Sequence, residues 1–270
     1  MDPQDVSRYY HHLFPVDIVF DFLRLVTGVD LDTRERICHE DFCFIRNGEW
    51  TRSLSFTKQS LKACLLNQTP PDEIHFSAIY HLPAFLRAEN DKKRMVAAFP
   101  RKFEIDLNDI DRGCCGLEKK VCEVCWNEYA IGIVSVIEGG YAGWGMTRRP
   151  AFFFSGNKSL YIFITCPIFS KLPPEDLLDF LKKRIEEKIK NVKFDEKVPP
   201  YHHALKLPFS LNSKKGRIVR PITKSFRTLS QLSHDLSYFA RKKEIAISTK
   251  FASNEWDKII KEFKEEILDG

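Results

Sequence analysis

Apolar residues recur at helical spacing near both ends of the chain and in two internal segments. In the segment from Val6 to Leu25 the pattern is interrupted by Pro15, which predicts a short helix followed by a longer one. The same spacing predicts helices from Val121 to Ile137, from Glu175 to Lys190 and from Glu255 to Leu268. These helices are separated by long segments with a different pattern.

Those intervening segments have the short apolar runs and turns of β-strands. Residues 42–56 are centred on Asn47-Gly48, a strong signal for a hairpin turn, and residues 74–82 predict a further strand. Residues 151–169 form two apolar runs around the loop Ser155-Gly156-Asn157-Lys158-Ser159. Helices and strands do not alternate regularly as they do in a doubly wound sheet, so the pattern predicts an α+β fold.

Length and composition set broad limits. With 270 residues, 43% of them hydrophobic, the chain can bury a proper core as one large or two modest domains. No uncharged apolar stretch is long enough to cross a membrane, and the first ten residues are polar and acidic. We therefore expect a soluble protein of a reducing compartment, with no secretory peptide and no membrane span.

Positive charge is concentrated in one part of the sequence. The formal net charge is +5, yet the window from Lys197 to His234 contains eight Lys or Arg residues and no Asp or Glu. Its basic residues are interleaved with Pro and Gly, which is typical of a loop and hairpin and not of an amphipathic helix. The window is either an anion-binding surface or a solvated basic face.

A pair of carboxylates marks the strand at residues 103–107. Glu104 and Asp106 alternate with Phe103, Ile105 and Leu107, so both acids are expected on the accessible face of one strand. Neighbouring carboxylates repel each other unless a cation lies between them, and oxygen pairs bind hard divalent ions such as Mg²⁺ or Mn²⁺. Such a pair suits two-metal phosphoryl transfer, and an exposed polar strand face is the alternative.

Four cysteines follow this strand with the spacing C-C-x6-C-x2-C, at Cys114, Cys115, Cys122 and Cys125. Two thiolate pairs this close in sequence can complete a tetrahedral Zn²⁺ site. Four free, partly buried thiols are the alternative, and a disulfide is disfavoured because adjacent cysteines are awkward to bridge. The sequence therefore predicts a structural zinc site.

Several motifs, in order, resemble those of the small catalytic subunit of the archaeal-eukaryotic type of DNA primase. The resemblance is closest to the eukaryotic form and is carried by the segments Tyr9–Pro15, His39–Phe44, Arg52–Phe56, Phe103–Asp106, the cysteine cluster with Trp126, Ser155-Gly156, Asp195-x-x-Val198, His203–Phe209 and Lys214–Arg217. It spans most of the chain but carries little weight in the last 45 residues.

The resemblance implies a fold, an activity and site residues. The expected fold is a primase catalytic core of mixed sheets flanked by helices. A single catalytic domain covers residues 1–270, with a zinc module at about 112–127 and a shortened helical insertion at about 173–193. The implied activity is DNA-templated synthesis of short RNA primers by two-metal nucleotidyl transfer. The implied ligands of Mg²⁺ or Mn²⁺ are Glu104, Asp106 and Asp195, and the implied nucleotide-binding residues are Asp41, Arg52, Ser155, Asn157, Lys158, Tyr161, Lys206 and Arg217.

The same resemblance implies partners and a location. The expected partners are a large primase subunit, replicative DNA polymerase subunits, a single-stranded DNA template, an RNA primer and nucleoside triphosphates. Nuclear localisation is implied by the family, since the sequence has no evident import signal.

Departures from the family pattern leave a second hypothesis open. Where the family has S-G-R-R-G-x-H, this chain has Asn157 and Lys158 for the two arginines, Ser159 for the glycine and Tyr161 for the histidine. Losing charge-assisted contacts to a triphosphate costs about 1.5–3 kcal/mol each. The alternative is therefore a catalytically weakened subunit that acts as a scaffold in the primase and replicative polymerase complex.

The zinc hypothesis leads to a direct test. Protein purified without chelators should contain about one Zn²⁺ per chain, because a closed thiolate site holds the metal tightly. The substitution Cys122→Ser should lower thermal stability more than it changes any catalytic step. Metal analysis that finds no zinc would contradict the assignment.

Overall fold

Two antiparallel β-sheets and the helices packed on them form the described part of the chain. The computed structural model describes residues 2–29, 39–80, 96–98, 101–107, 121–166, 173–190, 192, 194, 204–236 and 254–270. The helices are α1 (Pro3–His12), α2 (Val16–Thr27), α3 (Lys58–Asn67), α4 (Glu123–Cys125) continuing through a π-helical turn (Trp126–Ile131) into α5 (Gly132–Gly140), α6 (Pro174–Glu186), α7 (Leu229–Leu232) and α8 (Asn254–Phe263), which ends in a π-helical turn (Lys264–Leu268).

The first two helices are separated where the sequence predicts. The side chain of Asp2 accepts a hydrogen bond from the backbone N–H of Gln4 and caps α1, while Pro15 immediately precedes α2. Helix α2 ends at Gly28, whose φ of 72° is the left-handed conformation that glycine adopts without strain. The predicted helices at 121–137, 175–190 and 255–268 are also confirmed, with ends shifted by a few residues.

The first sheet has the strand order β2-β1-β3-β4, formed by β1 (His39–Arg46), β2 (Glu49–Leu54), β3 (Glu73–Tyr80) and β4 (Val96–Ala98). A short strand, β8 (Leu205–Lys206), also pairs with β3. Asn47 and Gly48 link β1 to β2 with φ values of 51° and 81°, as a tight two-residue hairpin turn requires. The predicted hairpin is confirmed.

The second sheet has the order β11-β6-β7-β5, formed by β5 (Arg101–Asp106), β6 (Ala151–Phe154), β7 (Ser159–Ile164) and β11 (Arg220–Pro221). β5 pairs with β7 along its whole length, so Glu104 lies opposite Tyr161 and Asp106 lies opposite Ser159. On the other side of β5, Phe194 forms an isolated antiparallel bridge with Ile105. The loop between β6 and β7 therefore lies at the end of β5 that carries the acids.

The third sheet is a two-stranded hairpin in the basic window. It pairs β9 (Leu211–Asn212) with β10 (Arg217–Ile218) around the turn at residues 213–216. The predicted loop and hairpin are thus confirmed, as is the α+β fold class. In the described residues, no helix is long and apolar enough to cross a membrane. The division of the chain into one catalytic domain with a zinc module and a shortened insertion stays a prediction.

Phe153 lies at the centre of an aromatic cluster that joins distant parts of the chain. Its ring contacts Phe22 of α2, Phe163 of β7, Phe209 of the loop before β9 and Phe263 of α8, with centroids 5.5 to 6.2 Å apart. The ring is fully buried. Because two helices converge on this strand, the cluster packs α2 and α8 against the second sheet.

We expect Phe153→Ala to lower the free energy of unfolding by about 4 kcal/mol, since it removes a buried ring and leaves a cavity. The measurement is chemical denaturation followed by circular dichroism. Leu66→Ala is the matched control, because Leu66 is 56% exposed and its loss should cost less than about 0.5 kcal/mol. Equal effects of the two changes would contradict the central position of Phe153.

Candidate metal and nucleotide site

Glu104 and Asp106 project from the same face of β5. Both side chains are partly exposed, whereas Phe103 and Ile105 between and beside them are buried in the core. The alternation therefore places the two carboxylates side by side at the surface, as the sequence predicts. Two neighbouring carboxylate groups are a suitable donor set for a hard divalent cation.

The loop from Ser155 to Ser159 is held rigidly beside these acids. The backbone N–H of Ser155 donates to the carbonyl of Ser159 at 2.9 Å, and the backbone N–H of Ser159 donates to the hydroxyl of Ser155 at 3.0 Å. Gly156 has a φ of +80°, and a Cβ at this position would lie 2.9 Å from the Cβ of Asn212. Glycine is therefore required twice here, by conformation and by close packing.

Asn212 fastens the same loop to the basic hairpin. Its side-chain amide donates to the carbonyl oxygen of Ser155 at 3.0 Å, and Asn212 itself is buried. Arg217 pairs with Asn212 across the hairpin, and the carbonyl of Arg217 would lie 3.5 Å from a Cβ on Gly156. The structure thus brings Ser155, predicted to bind nucleotide, next to the backbone of Arg217.

Lys158 reaches from this loop to the acid strand. Its ammonium Nζ lies 2.9 Å from Oδ2 of Asp106, with side-chain exposures of 30% and 22%. The carbonyl of Lys158 also accepts a hydrogen bond from the backbone N–H of Leu107 at 3.3 Å. A residue predicted to bind the triphosphate and a residue predicted to bind metal are therefore in direct contact with each other.

Tyr161 is buried directly across from Glu104. Burial raises the pKa of its phenol well above the ordinary value, and the negative charges of Glu104, Glu73 and Asp106 raise it further. Tyr161 is therefore a neutral hydrogen-bonding group at any physiological pH. Its predicted contact with nucleotide stays a prediction, and its burial means that only a ligand seated deep against β7 could reach it.

A second charged cluster lies between β3 and β8, and of its members the sequence pointed only to Lys206. Glu73 and His75 are both buried on β3, and Nε2 of His75 lies 2.8 Å from Oε2 of Glu73. Nζ of Lys206 lies 3.3 Å from the same oxygen, and Oε1 of Glu73 accepts hydrogen bonds from the backbone N–H and hydroxyl of Ser213. We call these four residues the Glu73 cluster. The signal available in the sequence was the spacing of Glu73 and His75, two apart on a strand like Glu104 and Asp106.

Burial and partners set the protonation states of this cluster. Burial alone would raise the pKa of Glu73, but the hydrogen bonds from His75 and Ser213 and the charge of Lys206 lower it to about 2. Burial lowers the pKa of His75. At neutral pH the cluster therefore contains an ionised Glu73 held by the Lys206 ammonium and a neutral imidazole.

Arg52 lies at the outer end of this cluster. Its guanidinium is 5.0 Å from the ring centroid of Trp50, and the Trp50 ring is 4.7 Å from the imidazole ring of His75. Trp50 is 45% exposed, so this row of side chains, from His75 through Trp50 to Arg52, ends at the surface. The predicted nucleotide-binding residues Arg52 and Lys206 are thus linked through the side chains of Trp50, His75 and Glu73.

The basic window is less open to anions than its sequence indicates. Arg220 is fully buried and donates to the backbone carbonyls of Gln231 and His234. Arg227 forms an ion pair with Glu138 at 2.8 Å, and Lys206 is held by Glu73. The exposed positive charge of the described window is therefore concentrated at Lys214, Lys215 and Lys224.

Part of the predicted site lies outside the described residues. Asp195, Cys114 and Cys115 fall there, and the side chain of Asp41 on β1 is also not described. Cys122 caps α4, and its Sγ accepts a hydrogen bond from the backbone N–H of Cys125. Among the residues that the structure describes, no three His, Cys, Asp or Glu side chains are grouped as metal ligands. The zinc site and the third acid stay predictions.

Comparison with known proteins gives one informative similarity. No family model matches the chain. The chain is 31% identical over 143 residues to the DNA primase small subunit of Schizosaccharomyces pombe, which covers 49% of this chain and 29% of that protein. The similarity supports a distant relationship to DNA primase small subunits. This chain spans less than a third of the length of that relative.

The Glu73 cluster makes a testable contribution to stability. Because the pKa of Glu73 is about 2 in the folded protein and 4.5 ordinarily, Glu73→Gln should lower the free energy of unfolding at pH 7 by about 3 kcal/mol. A depressed carboxyl pKa stabilises above the unfolded value, so the difference from wild type should shrink as the pH falls from 4.5 toward 2. Denaturation at several pH values measures it, with the exposed Glu49→Gln as control. A difference that is constant over this range would show that ionisation of Glu73 is not the cause.

Proposed function

We propose that this protein is a divergent DNA primase small subunit that joins ribonucleotides into short RNA primers on a single-stranded DNA template. The observation that carries the proposal is the contact between the acid strand and the Ser155–Ser159 loop, in which Lys158 lies 2.9 Å from Asp106. Predicted metal-binding and triphosphate-binding residues are adjacent, as phosphoryl transfer requires. The similarity to the S. pombe primase subunit supports the same class of reaction.

The donor set around β5 fits Mg²⁺ or Mn²⁺. Glu104 and Asp106 offer carboxylate oxygens on one face, and an ammonium group already lies against Asp106, so the position accepts a cation. Phe194, the chain neighbour of Asp195, pairs with Ile105 between the two acids, which supports Asp195 as the third ligand. Bound divalent ions would activate the attacking 3′-hydroxyl and stabilise charge on the leaving pyrophosphate.

The nucleotide would be held by residues from both sheets. We propose that Ser155, Asn157 and Lys158 contact the triphosphate from the loop after β6, with Lys206, Arg217 and Arg52 supplying positive charge and Asp41 and Tyr161 completing the contacts. Asn157 and Lys158 replace the paired arginines of the family pattern, and neither can form the bidentate hydrogen bonds of a guanidinium. Weaker binding of the triphosphate is the expected consequence.

The remaining assignments follow from the family resemblance. We propose that template and primer phosphates follow the exposed lysines of the basic hairpin, because phosphate contacts supply most sequence-independent affinity. The proposed zinc module of Cys114, Cys115, Cys122 and Cys125 would be structural. The proposed protein partners are a large primase subunit and replicative DNA polymerase subunits, in the nucleus.

One observation favours the alternative of a scaffold subunit. Lys158 and Lys206 are both ion-paired with carboxylates, Asp106 and Glu73, and Tyr161 is buried. A site whose cations neutralise its own acids would bind a triphosphate poorly unless the pairs separate. The two hypotheses therefore differ in whether any nucleotide is incorporated.

The decisive variant is Asp106→Ala. We expect it to reduce nucleotide incorporation by about 10³-fold or more, because a lost metal ligand removes several kcal/mol of transition-state stabilisation. Affinity for single-stranded DNA should change little, since the basic hairpin and not the acid strand would dominate binding. Primer extension on a single-stranded template, with purified large subunit and Mn²⁺, measures the first quantity, and fluorescence anisotropy measures the second.

Asp17→Ala is the matched control, because Asp17 is an ion-paired aspartate on the exposed face of helix α2. Incorporation by Asp106→Ala within a few-fold of wild type would show that β5 is not the metal site. Absence of incorporation by wild type itself, under the same conditions, would favour the scaffold.

A further inference from the structure

We propose that Lys158 is an internal counter-cation of the metal site, which a divalent ion must displace from Asp106 before it can bind. The inference rests on the proposed function, because it takes Asp106 as a metal ligand. Nζ of Lys158 lies 2.9 Å from Oδ2 of Asp106. An ammonium and a divalent ion cannot both take this oxygen at contact distance without strong repulsion between their like charges.

The backbone that carries Lys158 is fixed, so the ammonium is presented to Asp106 by the fold. Ser155 and Ser159 close the loop with two hydrogen bonds, and the carbonyl of Lys158 accepts from the backbone N–H of Leu107, the residue after Asp106. Gly156 packs against Asn212 with no room for a side chain. Moving the loop backbone away from Asp106 would break these contacts. Separation of Lys158 from Asp106 must therefore come from rotation of the flexible lysine side chain.

Partial exposure makes the exchange feasible. The side chains of Lys158 and Asp106 are 30% and 22% exposed, so a displaced ammonium can reach water. The other lysine–carboxylate pair of the site behaves differently, because Glu73 is 4% exposed and is also held by His75 and Ser213. We therefore assign the exchange to Lys158, while Lys206 remains with Glu73.

Displacement of Lys158 from Asp106 would also leave its ammonium beside the proposed triphosphate position. Lys158 stays on the loop that starts at Ser155-Gly156, so an ammonium released from Asp106 remains beside the proposed triphosphate position. Metal loading would then make available a positive charge that is neutralised in the metal-free protein. Lys158 is in this sense a positioning residue, whose contact with Asp106 couples occupancy of the metal site to binding of the triphosphate.

The test is a titration with Mn²⁺ alone, without nucleotide or template, using the full chain. Electron paramagnetic resonance of free Mn²⁺ gives the dissociation constant of the site. We expect Lys158→Met to bind Mn²⁺ about tenfold more tightly than wild type, since the competing charge is removed from a partly screened site. Lys158→Arg keeps the positive charge and should bind as weakly as wild type.

Lys62→Met is the matched control. It removes another lysine–aspartate pair, in which Nζ of Lys62 on α3 lies 2.7 Å from Oδ2 of Asp17 on α2. This change should leave Mn²⁺ affinity unaltered. Thermal unfolding of each variant confirms that it is folded, and Lys158→Gln replaces Lys158→Met if the latter is not.

The outcomes separate the two proposals. If Asp106→Asn weakens Mn²⁺ binding but Lys158→Met matches wild type, the counter-cation inference is overturned and the metal site stands. If the tighter binding of Lys158→Met survives the addition of Asp106→Asn, the ion binds elsewhere and the inference is also wrong. If neither wild type nor any variant binds Mn²⁺ at millimolar concentration, the proposed metal site itself fails.

Discussion

The pairing of β5 with β7 is the constraint on which the candidate site depends. Its register places Glu104 opposite Tyr161 and Asp106 opposite Ser159, so the acids meet the loop that follows β6. A shift of one residue would turn both carboxylates into the core and Ile105 out to solvent. The buried residues Phe103 and Ile105 oppose such a shift, which means that the apolar face of β5 sets the position of its two carboxylates.

Charge balance is the second organising feature. Three carboxylates, Glu73, Glu104 and Asp106, raise the pKa of the buried phenol of Tyr161. Lysines from two different segments form ion pairs with Asp106 and Glu73. The Glu73 pair is deeply buried and multiply hydrogen-bonded, so it contributes to stability in the way a buried, well-satisfied pair can. The Asp106 pair is shallower, and the proposed exchange with a divalent ion is assigned to it for that reason. Depth of burial therefore distinguishes two pairs of the same chemical type.

The loop from Ser155 to Ser159 combines a constrained backbone with side chains that depart from the primase motif it resembles. The Ser155-Gly156 turn tolerates little change, because Gly156 has a positive φ and packs against Asn212. The side chains proposed to contact a triphosphate from this loop, Asn157 and Lys158, differ from the arginines of the primase motif that the loop resembles. The backbone of the loop is thus fixed by packing, whereas the chemistry it presents depends on side chains that the packing does not constrain.

Much of the local structure was predictable because it is set by short-range patterns. The break at Pro15, the Asn47-Gly48 hairpin, the strand carrying Glu104 and Asp106, and the terminal helix all follow from side-chain periodicity and turn chemistry. What the linear pattern could not show is which charged groups meet. Glu73 and Lys206 are more than a hundred residues apart, and Asp106 ends β5 whereas Lys158 lies on the loop before β7, so both pairings depend on sheet register.

The basic window also shows that the sequence gives the number of charges but not their partners. The sequence by itself determined that eight positive charges are concentrated there, and its Pro and Gly residues predicted the loop and hairpin that the structure has at residues 211–218. Only the tertiary structure decided that Arg220 caps buried carbonyls, that Arg227 pairs with Glu138 and that Lys206 belongs to Glu73. Formal charge is a property of the chain, whereas its availability to a ligand depends on burial and on partners that only the folded chain brings together.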